Sequence, residues 1–206
     1  MIQMKKMRFL FAVVLAVLPM TGVYSQVDSL SKDSSLHKIA SQKIIKGEGG
    51  KGYYEFIGQA QGSKEELFVK AKQALYRTFT SGDAVIQMED KESGLIEGKG
   101  RTQTFYGKQA GFTRDLGRFI YRITIQTKDN KYRILFSEII YEKGELYLKG
   151  GADIAEDYPS NWKHQYNNTE AWWAGLKKLA DSELKAIAII LDSALNGRTK
   201  DTKDKW

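Results

Sequence analysis

The chain of 206 residues has no cysteine, two histidines and two prolines. Without cysteine, neither a disulfide nor a lipid-modified cysteine is available. His37 and His164 fall in a linker and a loop with no cysteine near them, which argues against a transition-metal site. Long apolar runs are missing too. The longest, Phe9–Leu18, is well short of the roughly 20 residues that span a bilayer, and no second run approaches it. Neither a P-loop nor a Gly-x-Ser-x-Gly elbow occurs. No segment repeats with a period of about 20 to 50 residues.

What is present begins with an export pattern. Lys5, Lys6 and Arg8 precede the apolar run and Val23-Tyr24-Ser25 follow it, which predicts a signal peptide over residues 1–25, cleaved before Gln26. A retained N-terminal anchor is the alternative. The mature protein is expected in the periplasm or outside a bacterial cell, with no transmembrane segment. The formal net charge of +7 shrinks with that segment, whose removal leaves 29 basic against 25 acidic residues. That is an ordinary surface and not a nucleic-acid footprint, so no nucleic-acid partner is expected.

Residues 26–50 are rich in Ser, Lys and Asp and end in Gly-Glu-Gly-Gly, the composition of a flexible linker with at most a helical turn around Leu36, Ile39 and Ala40. A single domain is expected over 51–197, with a polar tail over 198–206. Tyr53–Ala60 reads as a strand. Ser63-Lys64-Glu65-Glu66 is a capping box that opens an amphipathic helix carrying Leu67, Phe68, Ala71, Ala74, Leu75, Thr78 and Phe79, closed near Gly82.

The rest of the chain is organised around Val85–Gly100. It reads as two short strands joined by an Asp-Lys-Glu-Ser-Gly turn, with Gly94 taking positive φ. Pairing Asp90 with Gly94 sets Met88 against Ile96, Ile86 against Gly98 and Ala84 against Gly100 on an inner face, with Val85 on the other. Glycines on an inner face mark places where something presses close. The second strand is expected to reach Tyr106, and Gly107–Gly117 to be a connection. A second hairpin, Phe119–Thr127 with Tyr132–Tyr141, turns at Asp129-Asn130 and sets Ile125 against Ile134, Ile123 against Phe136 and Phe119 against Ile140. Only Tyr121 against Glu138 interrupts that core face. Gly150–Asn168 is irregular. Asn168 or Thr169 then caps a long helix with a stripe of Trp173, Leu176, Ala180, Leu184, Ile187, Leu191 and Ala194, closed by Asn196-Gly197.

Ser63–Phe68, the run Val85–Gly94 with Ile96, Gly98, Lys99 and Gly100, the Phe119–Ile140 hairpin and the last helix together resemble a family. It is the domain of unknown function with a TBP-like fold found in exported bacterial proteins. The resemblance spans about residues 50–196. It implies an α+β fold, β-α-β-β-β-β-α, in which two helices pack on one face of a twisted antiparallel sheet. It implies no activity, no cofactor and no catalytic residue. In the protein that names the fold the open sheet grips DNA, but export and near-ordinary charge argue against that here.

Candidate sites follow from the faces this architecture leaves open. The even-numbered residues of the second hairpin, with their partners, leave Arg122, Thr124, Gln126, Arg133, Leu135 and Ile139 on the reverse face, a mixture of arginine and apolar residues typical of binding patches. Tyr158, Trp162, Tyr166 and Trp172 form a second candidate, an aromatic loop for sugars or a partner, though aromatics at the start of a helix more often anchor it. Asp153, Glu156 and Asp157 lack the spacing of a calcium loop. Glu89, Asp90, Glu92 and Glu97 are explained by turn chemistry and cross-strand pairing without catalysis. The expectation is a non-enzymatic exported binding module for a cell-envelope protein or glycan. A pocket for an apolar ligand or glycan between the last helix and the sheet is the second reading, and a hydrolase the third.

Overall fold

The computed structural model describes residues 34–79, 85–109, 112–142, 151–157 and 170–198. The proposed signal segment, Gly82, Ala84, His164, Tyr158, Trp162, Tyr166 and the tail beyond Arg198 lie outside them. Among the described residues, three helices cover one face of an antiparallel sheet. In chain order the elements are α1 (Ser34–Ser41), β1 (Ile45–Lys46), a short 3-10 turn (Glu48–Gly50), β2 (Gly52–Gln59), α2 (Lys64–Thr78), β3 (Ile86–Asp90), β4 (Leu95–Arg101), β5 (Phe105–Gln109), β6 (Phe112–Lys128), β7 (Lys131–Glu142), β8 (Ala152–Asp153) and α3 (Glu170–Leu195). The sheet order is β1-β2-β7-β6-β4-β3, with β5 on β6 and β8 on β7.

The capping box forms as the sequence dictates. Ser63 Oγ accepts from the Glu66 amide at 3.2 Å, and the Glu66 carboxylate accepts from the Ser63 amide at 3.0 Å. The two hairpin turns reinforce this helix start. Asp129 accepts from the Lys64 amide at 2.9 Å, Lys64 Nζ donates to the Glu92 carbonyl at 2.6 Å, and the Thr127 amide donates to the Gly94 carbonyl at 2.8 Å. Asp90 closes its own turn by accepting from the amides of Glu92 and Ser93. The Asp-Lys-Glu-Ser-Gly stretch is therefore a clasp that ties both turns to α2. At the other end of the chain, α3 stops in a Schellman motif: Gly197 takes φ +67°, its amide donates to Ala194, and the Arg198 amide donates to Ser193.

Leu67, Phe68, Ala71, Ala74 and Leu75 of α2 and Trp173, Leu176, Ala180, Leu184 and Leu191 of α3 meet the sheet's inner face. Tyr54, Phe56, Ile96, Phe119, Tyr121, Ile123, Ile125, Ile134 and Phe136 fill that face. Residues 34–50 hold more structure than a linker composition implies. Helix α1 buries Ile39 in the same core, and β1 pairs with β2.

Four expectations need correcting. In the first hairpin, Ile86 does face Gly98, but the register then shifts by one, so that Met88 pairs with Glu97 and is 45% exposed while Val85 is buried. The second strand of that hairpin ends at Arg101, and Phe105–Gln109 is a separate strand that pairs with the start of β6, so Gly107–Gly117 belongs to a third hairpin and not to a connection. In the second hairpin, Phe119 faces Tyr141 and not Ile140. The cause is a bulge in β7: Arg122 pairs with Ser137 but Ile120 pairs with Ile140, so one extra residue is accommodated and Glu138 takes φ +50°. Beyond the bulge the faces exchange. Ile139 is therefore fully buried and cannot belong to the reverse face, while Ile140 moves outward.

Candidate functional site

On the reverse face, Arg122, Thr124, Gln126 and Leu135 are partly exposed and Arg133 is exposed, as their parity requires. No described helix covers them. The described part of the 150–168 segment turns the other way, toward α3: the Glu156 carbonyl accepts from Trp173 Nε1 and Lys177 Nζ, both at 2.9 Å. The arginines, however, are already engaged. Arg133 meets Glu55 at 2.6 Å, and Arg122 meets Glu97 at 3.5 Å and Glu138 at 3.3 Å. Of the aromatic candidates, Trp172 is half-buried with its ring edge-on to Tyr141 at 6.0 Å, which makes it an anchor of α3.

The larger opening lies where sheet and helices part. Strand β3 pairs with β4 only as far as Gly98, and among the described residues nothing pairs with the outer edge of Lys99–Arg101. A cleft of about 740 Å³ runs from the C-terminal end of α2, past this edge, to α3 and the margin of the reverse face. Phe79, Val85, Ile187 and Ile190 supply its apolar wall, and Ile120 and Ile140 its outer rim. The volume falls within the roughly 300–1,000 Å³ of small-molecule sites.

Two polar groups at this cleft are unusual. Tyr121 is 2% exposed, and among the described residues its hydroxyl has no hydrogen-bond partner, which a buried hydroxyl seldom lacks. Burial, together with the nearby Glu183 carboxylate, pushes its ionisation far above the ordinary phenol range, so it stays a neutral O–H. Glu183 accepts from the Gln103 amide at 3.0 and 3.2 Å. Burial nonetheless outweighs that bond and raises its carboxyl to about 7. Gly100 is what lets Tyr121 lie under the strand edge, since a Cβ there would fall 2.5 Å from the ring.

Sequence reading missed both groups. The available signals were Tyr121 interrupting an otherwise apolar face, and Glu183 sitting at helical spacing between Ala180 and Ile187. Lys99 and Arg101 also line the cleft.

A smaller cavity of about 200 Å³ lies under α1 beside Phe56, Gly58, Tyr132 and Asp192. Its buried Asp192 carboxylate accepts from the Tyr132 hydroxyl, from Asn196 at 3.3 Å and from Arg198 at 3.1 Å. That network is satisfied and locks the end of α3 to β7. Gly47, Gly49 and Gly52 match the spacing of a dinucleotide loop, but they lead into a strand, so no helix N-terminus is there to meet a phosphate. Among the described residues, no three His, Cys, Asp or Glu side chains converge as metal ligands, and no helix is long and apolar enough to cross a membrane.

No curated protein matches the chain. Among solved structures it is similar to a DUF4468 family protein from Bacteroides ovatus, with 15% identity over 72% of this chain and 90% of that one and a TM-score of 0.51. It is equally similar to a TBP-like protein from Parabacteroides distasonis, with 17% identity over 73% and 96% and a TM-score of 0.51. At such identities the likeness is one of fold. The family model for the domain of unknown function DUF4468 with TBP-like fold matches residues 53–142, from β2 to the end of β7. Residues 53–142 of this chain thus match the DUF4468 family model, and the chain shares its TBP-like fold.

Proposed function

We propose that the chain is an exported, non-enzymatic binding module that holds a small, largely apolar ligand in the cleft between α3 and the free edge of β4. The observation that carries this reading is Tyr121, a buried hydroxyl at the cleft with no hydrogen-bond partner among the described residues. Such a group costs about 1–3 kcal/mol when unsatisfied, a cost that a ligand acceptor would remove. The wall is aliphatic with one phenyl ring, which suits an apolar body better than a glycan. Among the described residues the lining contains no histidine, cysteine or serine, which favours binding over hydrolysis.

Native mass spectrometry of freshly purified protein tests the reading. A co-purifying small molecule is expected on the wild type and is expected to be lost from Ala186→Trp, which fills the cleft. A ligand retained by that variant would place the site elsewhere. Export is tested separately: the N-terminus of protein recovered from the cell envelope or medium should begin at Gln26. The reverse sheet face is the second reading, favoured by Ile57, which is 59% exposed beside the Arg133–Glu55 pair. In that case Leu135→Asp, and not Ala186→Trp, would abolish capture of a purified envelope partner.

A further inference from the structure

The charge around the cleft narrows the ligand class. Four charged side chains line it besides Glu183: Lys99, Arg101, Arg122 and Glu138. Arg122 and Glu138 neutralise one another, with the guanidinium 3.3 Å from the carboxylate. Glu97 adds a further carboxylate 3.5 Å from Arg122. Lys99 and Arg101 form no ion pair among the described residues, and both are exposed on a strand whose outer edge pairs with no described residue. The cleft thus joins an apolar wall, Phe79, Val85, Ile187 and Ile190, to a rim where Lys99 and Arg101 carry the positive charge that no described carboxylate pairs with. Glycans do not match that wall, and a neutral hydrocarbon leaves the rim unused.

Resting on the cleft reading above, we infer that the ligand is a single-chain amphiphile with an anionic head, its chain against Ile187, Ile190, Phe79 and Val85 and its head at Lys99 and Arg101. The arrangement follows from ordinary partition. The chain leaves water for a wall that already excludes it, and the head stays at the solvent edge, where a charge is cheaply kept and two cations attract it. Tyr121 adds a donor under the rim for a hydroxyl or carbonyl carried by the amphiphile.

Isothermal titration with dodecanoate, dodecanol and acetate, each below its aggregation concentration, tests this on the whole mature chain. Dodecanoate is expected to bind the wild type, dodecanol roughly tenfold more weakly for want of the head-group attraction, and acetate not at all. Lys99→Glu with Arg101→Glu is expected to erase the preference for dodecanoate over dodecanol, with dodecanol binding and the melting temperature as the controls that the cleft still forms. Equal binding of the two by the wild type, or a preference that survives the double reversal, overturns the anionic-head assignment and leaves the cleft reading standing. Ala186→Trp separates the two claims: if it binds dodecanoate as the wild type does, the cleft itself is wrong.

Discussion

Gly98 and Glu183 show how differently two residues can be written into a sequence. Gly98 stands on the inner face of β4 because a Cβ there would lie 2.5 Å from the Val85 carbonyl oxygen, a backbone atom that cannot swing aside. Gly98→Ala should therefore push β3 outward and cost about 1–3 kcal/mol, read as a lower urea midpoint. That requirement was legible, since a glycine amid inward-facing apolar residues of a strand marks a close approach. Glu183 was not, because nothing local says that a carboxylate on α3 will be partly buried beside Gln103 and Tyr121. Its carboxyl, raised from 4.5 to about 7, binds its proton more tightly in the folded chain than in the unfolded one. This group therefore favours folding most below about pH 4.5, and its contribution fades as the pH climbs to about 7. Urea titrations at a series of pH values should show wild type losing stability relative to Glu183→Gln across that interval, by at most roughly 3 kcal/mol. Parallel curves would show that burial does not hold the proton.

At the level of elements, helix ends were read more reliably than strand registers. The capping box and the Asn-Gly stop are local devices whose partners lie within a few residues, so spacing suffices to find them. Ser63→Ala should cost about 1 kcal/mol, because the Glu66 amide loses its acceptor. The end of α3 depends on a longer reach. Arg198 meets Asp192 at 3.1 Å, and Asp192 is 1% exposed. Replacing Arg198 with Met should leave a buried carboxylate under-compensated and cost about 2–3 kcal/mol in chemical denaturation, less than for a fully buried pair because the arginine itself meets solvent. Registers failed wherever a strand carries an irregularity. Parity predicted β7 correctly up to its bulge and inverted afterwards: Ile123 and Phe136 face the helices as expected, whereas Ile139 and Ile140 exchange places past Glu138. The mismatch of Tyr121 with Glu138 was the visible trace of that bulge, though by parity alone it looks like a blemish in the core face.

For the molecule as a whole, sheet type and sidedness were legible, because the alternation of Ile123, Ile125, Ile134 and Phe136 leaves one arrangement for the helices, and the order of elements was legible but for α1, β1, β5 and β8. The cleft was not, since it depends on where β3 stops pairing with β4. The reverse face has the expected residues except Ile139, and less reach than its composition suggested, its arginines being matched across strands. Because those pairs are solvent-exposed, Arg133→Gln should change stability by no more than about 1 kcal/mol and should matter even less in strong salt, as thermal melts at two ionic strengths would show. The clasp that binds Lys64, Glu92, Gly94, Thr127 and Asp129 sits at one end of the sheet, and the unpaired edge of Lys99–Arg101 sits at the other. Such a fold is hinged like a book with its spine at the turns. Thermal breathing should begin among the loose pages, so that deuterium enters Lys99–Arg101 well before Leu95–Glu97, and whatever slips between them need not unfold the binding that holds the volume together.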